Sequence, residues 1–134
     1  MTPESARFIN KARQCLADAK FNQERVPRIA GREAYLAAFP AAEALVYERT
    51  GKIAKTHRGL RSEFSRLTRG DTRINQLISE FLGRAYELKS IADYGTGEES
   101  IISVPTAAAA IATAGLFIDC IASMIDSPEE ESLS

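Results

Sequence analysis

Apolar residues recur three and four places apart along almost the whole chain, and no stretch alternates with the period of two that a strand needs. Thr2 and Pro3 offer a cap and a first-turn proline for a helix reaching about Phe21, with Phe8, Ile9, Ala12, Cys15, Leu16 and Ala19 on one side. Asn22 to Pro27 forms the first connection. A second helix follows from Arg28 to about Arg49, its stripe made by Tyr35, Leu36, Phe39, Ala42, Leu45 and Val46, with Gly51 beyond its end. Pro40 lies inside it, removes the hydrogen bond to the Leu36 carbonyl at a cost on the order of 3 kcal/mol, and predicts a kink. Thr56 caps a shorter third helix in which Leu60, Phe64 and Leu67 face inward. Arg58, Arg61 and Arg69 are expected to project from its opposite side, with Arg66 flanking them. Gly70 and Asp71 turn into a fourth helix, Thr72 to about Asp93, which Gly95 and Gly97 stop because both tolerate positive φ. The last helix starts at Ser103 or Val104, has Pro105 in its first turn and runs to about Asp126.

Five helices with short connections predict an all-α fold, an antiparallel four- to five-helix bundle. Residues 1–126 read as one domain and residues 127–134 as an acidic, disordered tail. The last helix is apolar nearly all round, and its span from Pro105 to Ile125 is long enough for a bilayer. It is nonetheless rich in alanine, carries Thr113, Asp119 and Ser123, and lacks flanking Lys or Arg, so a buried central helix or a subunit interface is expected and no membrane.

Composition fits this picture: 134 residues, 45% of them hydrophobic, suffice for a single core. Cys15 and Cys120 sit among apolar neighbours without a second motif cysteine, and the N-terminus lacks a secretory pattern. Two buried thiols in a reducing cytoplasm are expected. The net charge of -1 hides an asymmetry, because Arg49 to Arg73 holds eight basic residues against Glu63 and Asp71, whereas Gly95 to Ser134 is acidic with no basic residue. The basic zone can attract a polyanion, or it can be a solvated helix face.

Chemistry gathers at the end of the fourth helix. Advancing about 100° per residue puts Ile74, Ile78, Phe81, Leu82, Ala85, Leu88 and Ala92 in one apolar stripe. Lys89 and Asp93 fall inside its edge, four residues apart, which suits either a structural ion pair or a phosphate site. Tyr86 is placed to pack beside them or to stack on a base.

Three segments in order, AYLAAFPAAEAL (Ala34 to Leu45), KTHRGLRSEF (Lys55 to Phe64) and FLGRAYELKSIADYG (Phe81 to Gly95), resemble the small prokaryotic HEPN domain proteins. The resemblance covers roughly Phe8 to Ile125. It implies a helical bundle that forms a homodimer, often the toxin of a toxin and antitoxin pair whose partner is a nucleotidyltransferase. Active relatives are metal-independent ribonucleases in which an Arg and, four to six residues later, a His meet across the dimer. The guanidinium stabilises charge on the phosphate and the imidazole moves a proton. No metal or other cofactor is expected, since the one histidine has no companion at metal-ligand spacing.

Lys89 stands at the position matching the Arg and Tyr94 at the position matching the His. Lysine keeps the charge but loses the bidentate fork, and a phenol donates a proton yet is a poor base at neutral pH. Thr96 falls where some relatives carry a Tyr that the partner enzyme modifies with adenylate, and Pro40 replaces the usual His of the second segment. The resemblance thus gives Lys89 and Tyr94 as catalytic candidates, and Asp93, four residues after Lys89 on the same face, joins them. His57, the only histidine, matches a recurrent Thr-His pair; it, Arg58, Arg61 and Arg84 are the candidates for binding RNA or a nucleotide. The function expected is an altered, weak ribonuclease, or alternatively a catalytically silent nucleotide- or RNA-binding or scaffolding dimer.

Overall fold

The computed structural model describes residues 1–126, apart from the side chains of 99 and 100, so the expectation of an acidic tail lies outside the described residues. Five α-helices follow one another: α1 (Pro3–Asn22), α2 (Pro27–Thr50), α3 (His57–Thr68), α4 (Gln76–Tyr94) and α5 (Val104–Asp126), with a 3₁₀ turn, Gly97–Ser100, before the last. No strand occurs among the described residues. The bundle is all-α, as the periodicity predicts.

α2 is the hub. It packs against α1, α3, α4 and α5, and it can do so because Ala30, Ala34, Ala37, Ala38, Ala41, Ala42 and Ala44 are fully buried and let neighbouring backbones come close. The helix runs on through Pro40, which is itself buried. α5, expected at the centre on grounds of hydropathy, packs on α2, α1 and α4 but keeps Leu116 57% exposed. It is long and apolar enough to cross a membrane by length and composition, and half of its most apolar stretch is buried inside the bundle. Phe117 fills the space between α3 and α4, its ring centroid 5.3 Å from that of Phe64 and 5.7 Å from that of Phe81. The two cysteines are free thiols and only half-buried, rather than fully buried as expected.

Polar groups fix the helix ends. The Thr2 hydroxyl accepts from the Ser5 N–H at 3.1 Å, while the Thr2 and Ser5 hydroxyls both donate to the Glu48 carboxylate, tying the start of α1 to the end of α2. Gly51 ends α2 with φ 71, a left-handed conformation that favours glycine. Thr56 caps α3 by accepting from Gly59 N–H at 2.8 Å.

Two boundaries differ from the sequence reading. α4 starts at Gln76 rather than Thr72, because the Asp71 carboxylate accepts from the backbone and guanidinium of Arg73 and holds the intervening residues in a turn. Asn75 then provides the cap, its side-chain oxygen accepting from Ile78 N–H at 2.8 Å. At the other end Gly95 has φ -68, so of the two expected stop glycines only Gly97, with φ 61, takes a positive φ.

Candidate functional site

Helical spacing decides which side chains meet where α2, α3 and α4 face one another. Arg32, Tyr35 and Phe39 lie three and four residues apart on α2, His57 and Arg61 four apart on α3, and Tyr86, Lys89 and Asp93 three and four apart on α4. Each set is one face of its helix, and the three faces meet where the helices converge, a junction termed the crevice. The Arg28 guanidinium donates to the Ala92 carbonyl at 3.2 Å and holds α2 against the last turn of α4.

Aromatic rings line the inner side. Tyr35 is fully buried, and its hydroxyl lies 2.6 Å from His57 Nδ1. The His57 ring has centroids of Phe39 at 4.7 Å, Tyr35 at 5.6 Å and Tyr86 at 5.7 Å around it, yet the residue as a whole remains exposed. Cations line the outer side. The Arg61 guanidinium sits 4.5 Å above the Tyr86 ring and the Lys89 ammonium 6.0 Å from it. Lys89 donates to Asp93 Oδ2 at 2.7 Å, and Arg32 Nε donates to the other oxygen at the same distance.

The electrostatics follow from these neighbours. Burial and then the adjacent charges of Lys89 and Arg61 push His57 below the ordinary imidazole range, so it is neutral at pH 7. Burial, only partly opposed by Arg61, raises Tyr35 and keeps its phenol protonated. The hydrogen bond from Lys89, reinforced by Arg32, holds the Asp93 carboxyl below its usual value despite partial burial. Two cations, Lys89 and Arg32, therefore hold a single carboxylate, and a third, Arg61, lies over the Tyr86 ring. Arg61 forms no ion pair among the described residues, and its Nε is buried without a hydrogen-bond partner. An unsatisfied, half-buried guanidinium is costly unless something accepts from it.

Of the residues singled out from sequence, Lys89, Asp93, His57 and Arg61 come together here. Arg61 leans onto Tyr86 rather than projecting from the far side of α3 as expected. Tyr94 stands at the rim, 79% exposed, its ring 5.9 Å from the Lys89 ammonium and outside the aromatic cluster. Arg58 is exposed on the first turn of α3. Arg84 points away, paired with Glu80 at 2.7 Å, and meets Arg61 only as another wall of a groove of about 400 Å³ between α3 and α4. Sequence reading missed Tyr35 and Arg32. The available signal was the phenol in the α2 stripe, since a buried tyrosine hydroxyl requires a partner. No three His, Cys, Asp or Glu side chains among the described residues converge to hold a metal ion.

No match to a curated protein was found. The family model described as HEPN domain matches residues 5–125, a span that contains all five helices' packed faces and every residue of the crevice. The chain belongs to the HEPN domain family.

Proposed function

We propose that this domain acts on RNA at the crevice between α2, α3 and α4, as a metal-independent endoribonuclease with an altered set of catalytic groups. HEPN domains are associated with RNA cleavage or nucleotide binding, and the residues of the crevice suit both. One observation carries the reading: Arg61, a half-buried guanidinium with an unsatisfied Nε, lies beside a neutral imidazole and a second cation. A phosphodiester would pair with the charge of that guanidinium and with Lys89, which Asp93 orients. Tyr94 at the rim would meet the RNA as it enters, and Arg58 extends the cationic edge. The working form in this reading is a cytoplasmic homodimer, a toxin paired with a nucleotidyltransferase antitoxin, as in similar proteins. A silent nucleotide- or RNA-binding or scaffolding module is the second reading. It is favoured by the pairing of Lys89 with Asp93 and by the outward position of Tyr94.

Fluorescence anisotropy with a labelled single-stranded oligoribonucleotide tests the site. Binding at low salt that weakens about tenfold in Arg61→Gln and in Lys89→Ala is expected. Incubation of the same RNA in chelator, with Tyr94→Phe alongside, then separates enzyme from module. Absence of RNA binding by the intact chain at low salt would sink the ribonuclease reading and leave only a module that binds nucleotide or acts as a scaffold.

A further inference from the structure

His57 and Tyr35 form a contact that the family's Arg and His arrangement does not explain, because neither belongs to the fourth helix. The phenol is fully buried on α2 and meets Nδ1 at 2.6 Å, so the imidazole is held by its inner nitrogen while the residue stays open to solvent. The ring packs between Phe39 and Tyr86, which fixes its plane. Its charged and titratable neighbours are Tyr35 from α2, Arg61 from its own helix, and Tyr86 and Lys89 from α4, with Asp93 and Arg32 paired behind Lys89.

We propose that His57 is the proton-transferring catalytic residue of RNA cleavage by this chain, with Tyr35 as its positioning residue. The inference rests on the reading that the crevice takes RNA. A carboxylate on Nδ1 would lock one tautomer, whereas a hydroxyl both donates and accepts. Tyr35 can donate to bare Nδ1 when Nε2 carries the hydrogen, and can accept from Nδ1–H when Nε2 is bare. The ring therefore keeps one orientation in either state, which is what a group that takes up and returns a proton requires. Burial of the phenol suppresses the tyrosinate form that would otherwise compete for the proton.

The step balances without a co-reactant. Bare Nε2 removes the proton of a ribose 2′-hydroxyl, the 2′-oxygen forms a bond to the adjacent phosphorus, and the bond from phosphorus to the 5′-oxygen breaks. That oxygen takes a proton from water, and the hydroxide left behind is neutralised by the proton on the imidazolium. The products are a 2′,3′-cyclic phosphate end and a 5′-hydroxyl end. Arg61 and Lys89, both beside the Tyr86 ring that packs on His57, would offset the charge that the phosphoryl oxygens gain.

The experiment measures cleavage of a labelled oligoribonucleotide and of its 2′-deoxy counterpart by the full-length protein in chelator, with binding followed separately by anisotropy. Expected are cleavage of the ribo form alone, cyclic phosphate ends, and a loss of at least about 100-fold in His57→Ala that added imidazole partly restores. Tyr35→Phe is expected to lower kcat about tenfold with KM unchanged, with melting followed by circular dichroism to show that the bundle persists. Cleavage that survives His57→Ala, cleavage of the 2′-deoxy strand, or failure of imidazole to restore a folded His57→Ala variant overturns the inference. RNA binding without cleavage by the wild-type chain overturns it while leaving the RNA site standing; absence of binding removes both.

Discussion

The imidazole of His57 feels three influences that act in one direction on its proton: burial, the ammonium of Lys89 and the guanidinium of Arg61. Each disfavours the cation. An NMR titration of the ring should give a midpoint below the ordinary imidazole value of 6.5, and Lys89→Ala and Arg61→Gln should each move it upward. A midpoint unmoved by both variants would mean that neither charge reaches the ring. The same shift enters stability with a definite sign. Since the folded imidazole binds its proton less readily than the unfolded one, acidification below about pH 6.5 favours unfolding until the folded value is passed. The wild-type melting temperature should therefore fall more between pH 7 and pH 5 than that of His57→Gln, and above pH 7 the two curves should run parallel.

α3 carries His57 in its first turn, so the order of that turn and the order of the site are one matter. The Thr56 hydroxyl satisfies the Gly59 N–H at 2.8 Å, and a Cβ added at Gly59 would come within 2.8 Å of the same oxygen. Thr56→Ala should cost about 1 kcal/mol in denaturant melts and lower cleavage by more than the stability loss explains. An equal stability loss with unaltered cleavage would show that the cap does not position His57. Helix by helix, the bundle was largely legible from sequence, because 3.6-residue periodicity, Thr2, Thr56 and Gly51 are local signals that the native packing reinforces. The start of α4 was not, because Asp71 makes bonds to Arg73 that compete with the helix, and the sequence offers several capping residues close together, Asp71, Thr72 and Asn75, of which the fold uses the last. The pairing of Lys89 with Asp93 was legible for the same local reason, being four residues apart on one helix. Tyr35 was not recognised as part of the site. Its partner lies 22 residues away across a turn, and a phenol within an apolar stripe looks like core until the facing helix is known.

At the scale of the molecule, net charge is a poor guide to what an RNA would meet. The sequence sums to -1, but many of its cations are already matched by carboxylates. Arg13 pairs with Asp119, Arg66 with Glu63, Arg73 with Asp71 and Arg84 with Glu80, whereas Arg58, Arg61 and Arg69 of the α3 region form no ion pair among the described residues. A matched cation holds little phosphate and displaces few counterions on binding; an unmatched one does both. The family model covers all five helices, and three unmatched arginines, Arg58, Arg61 and Arg69, follow one another along and just after α3, which packs against α2 and α4. The dependence of affinity on salt reads this distribution directly. For single-stranded RNA each neutralised phosphate contributes about -0.7 to the slope of log K against log salt, so three or four contacts give about -2 to -3. Arg61→Gln should make that slope shallower by about 0.7, while Arg13→Gln, on the α1 and α5 side, should leave it unchanged. Equal changes in both variants would mean that RNA responds to the overall charge of the chain and not to the crevice, and the assignment of Arg61 to a phosphate would fall with it.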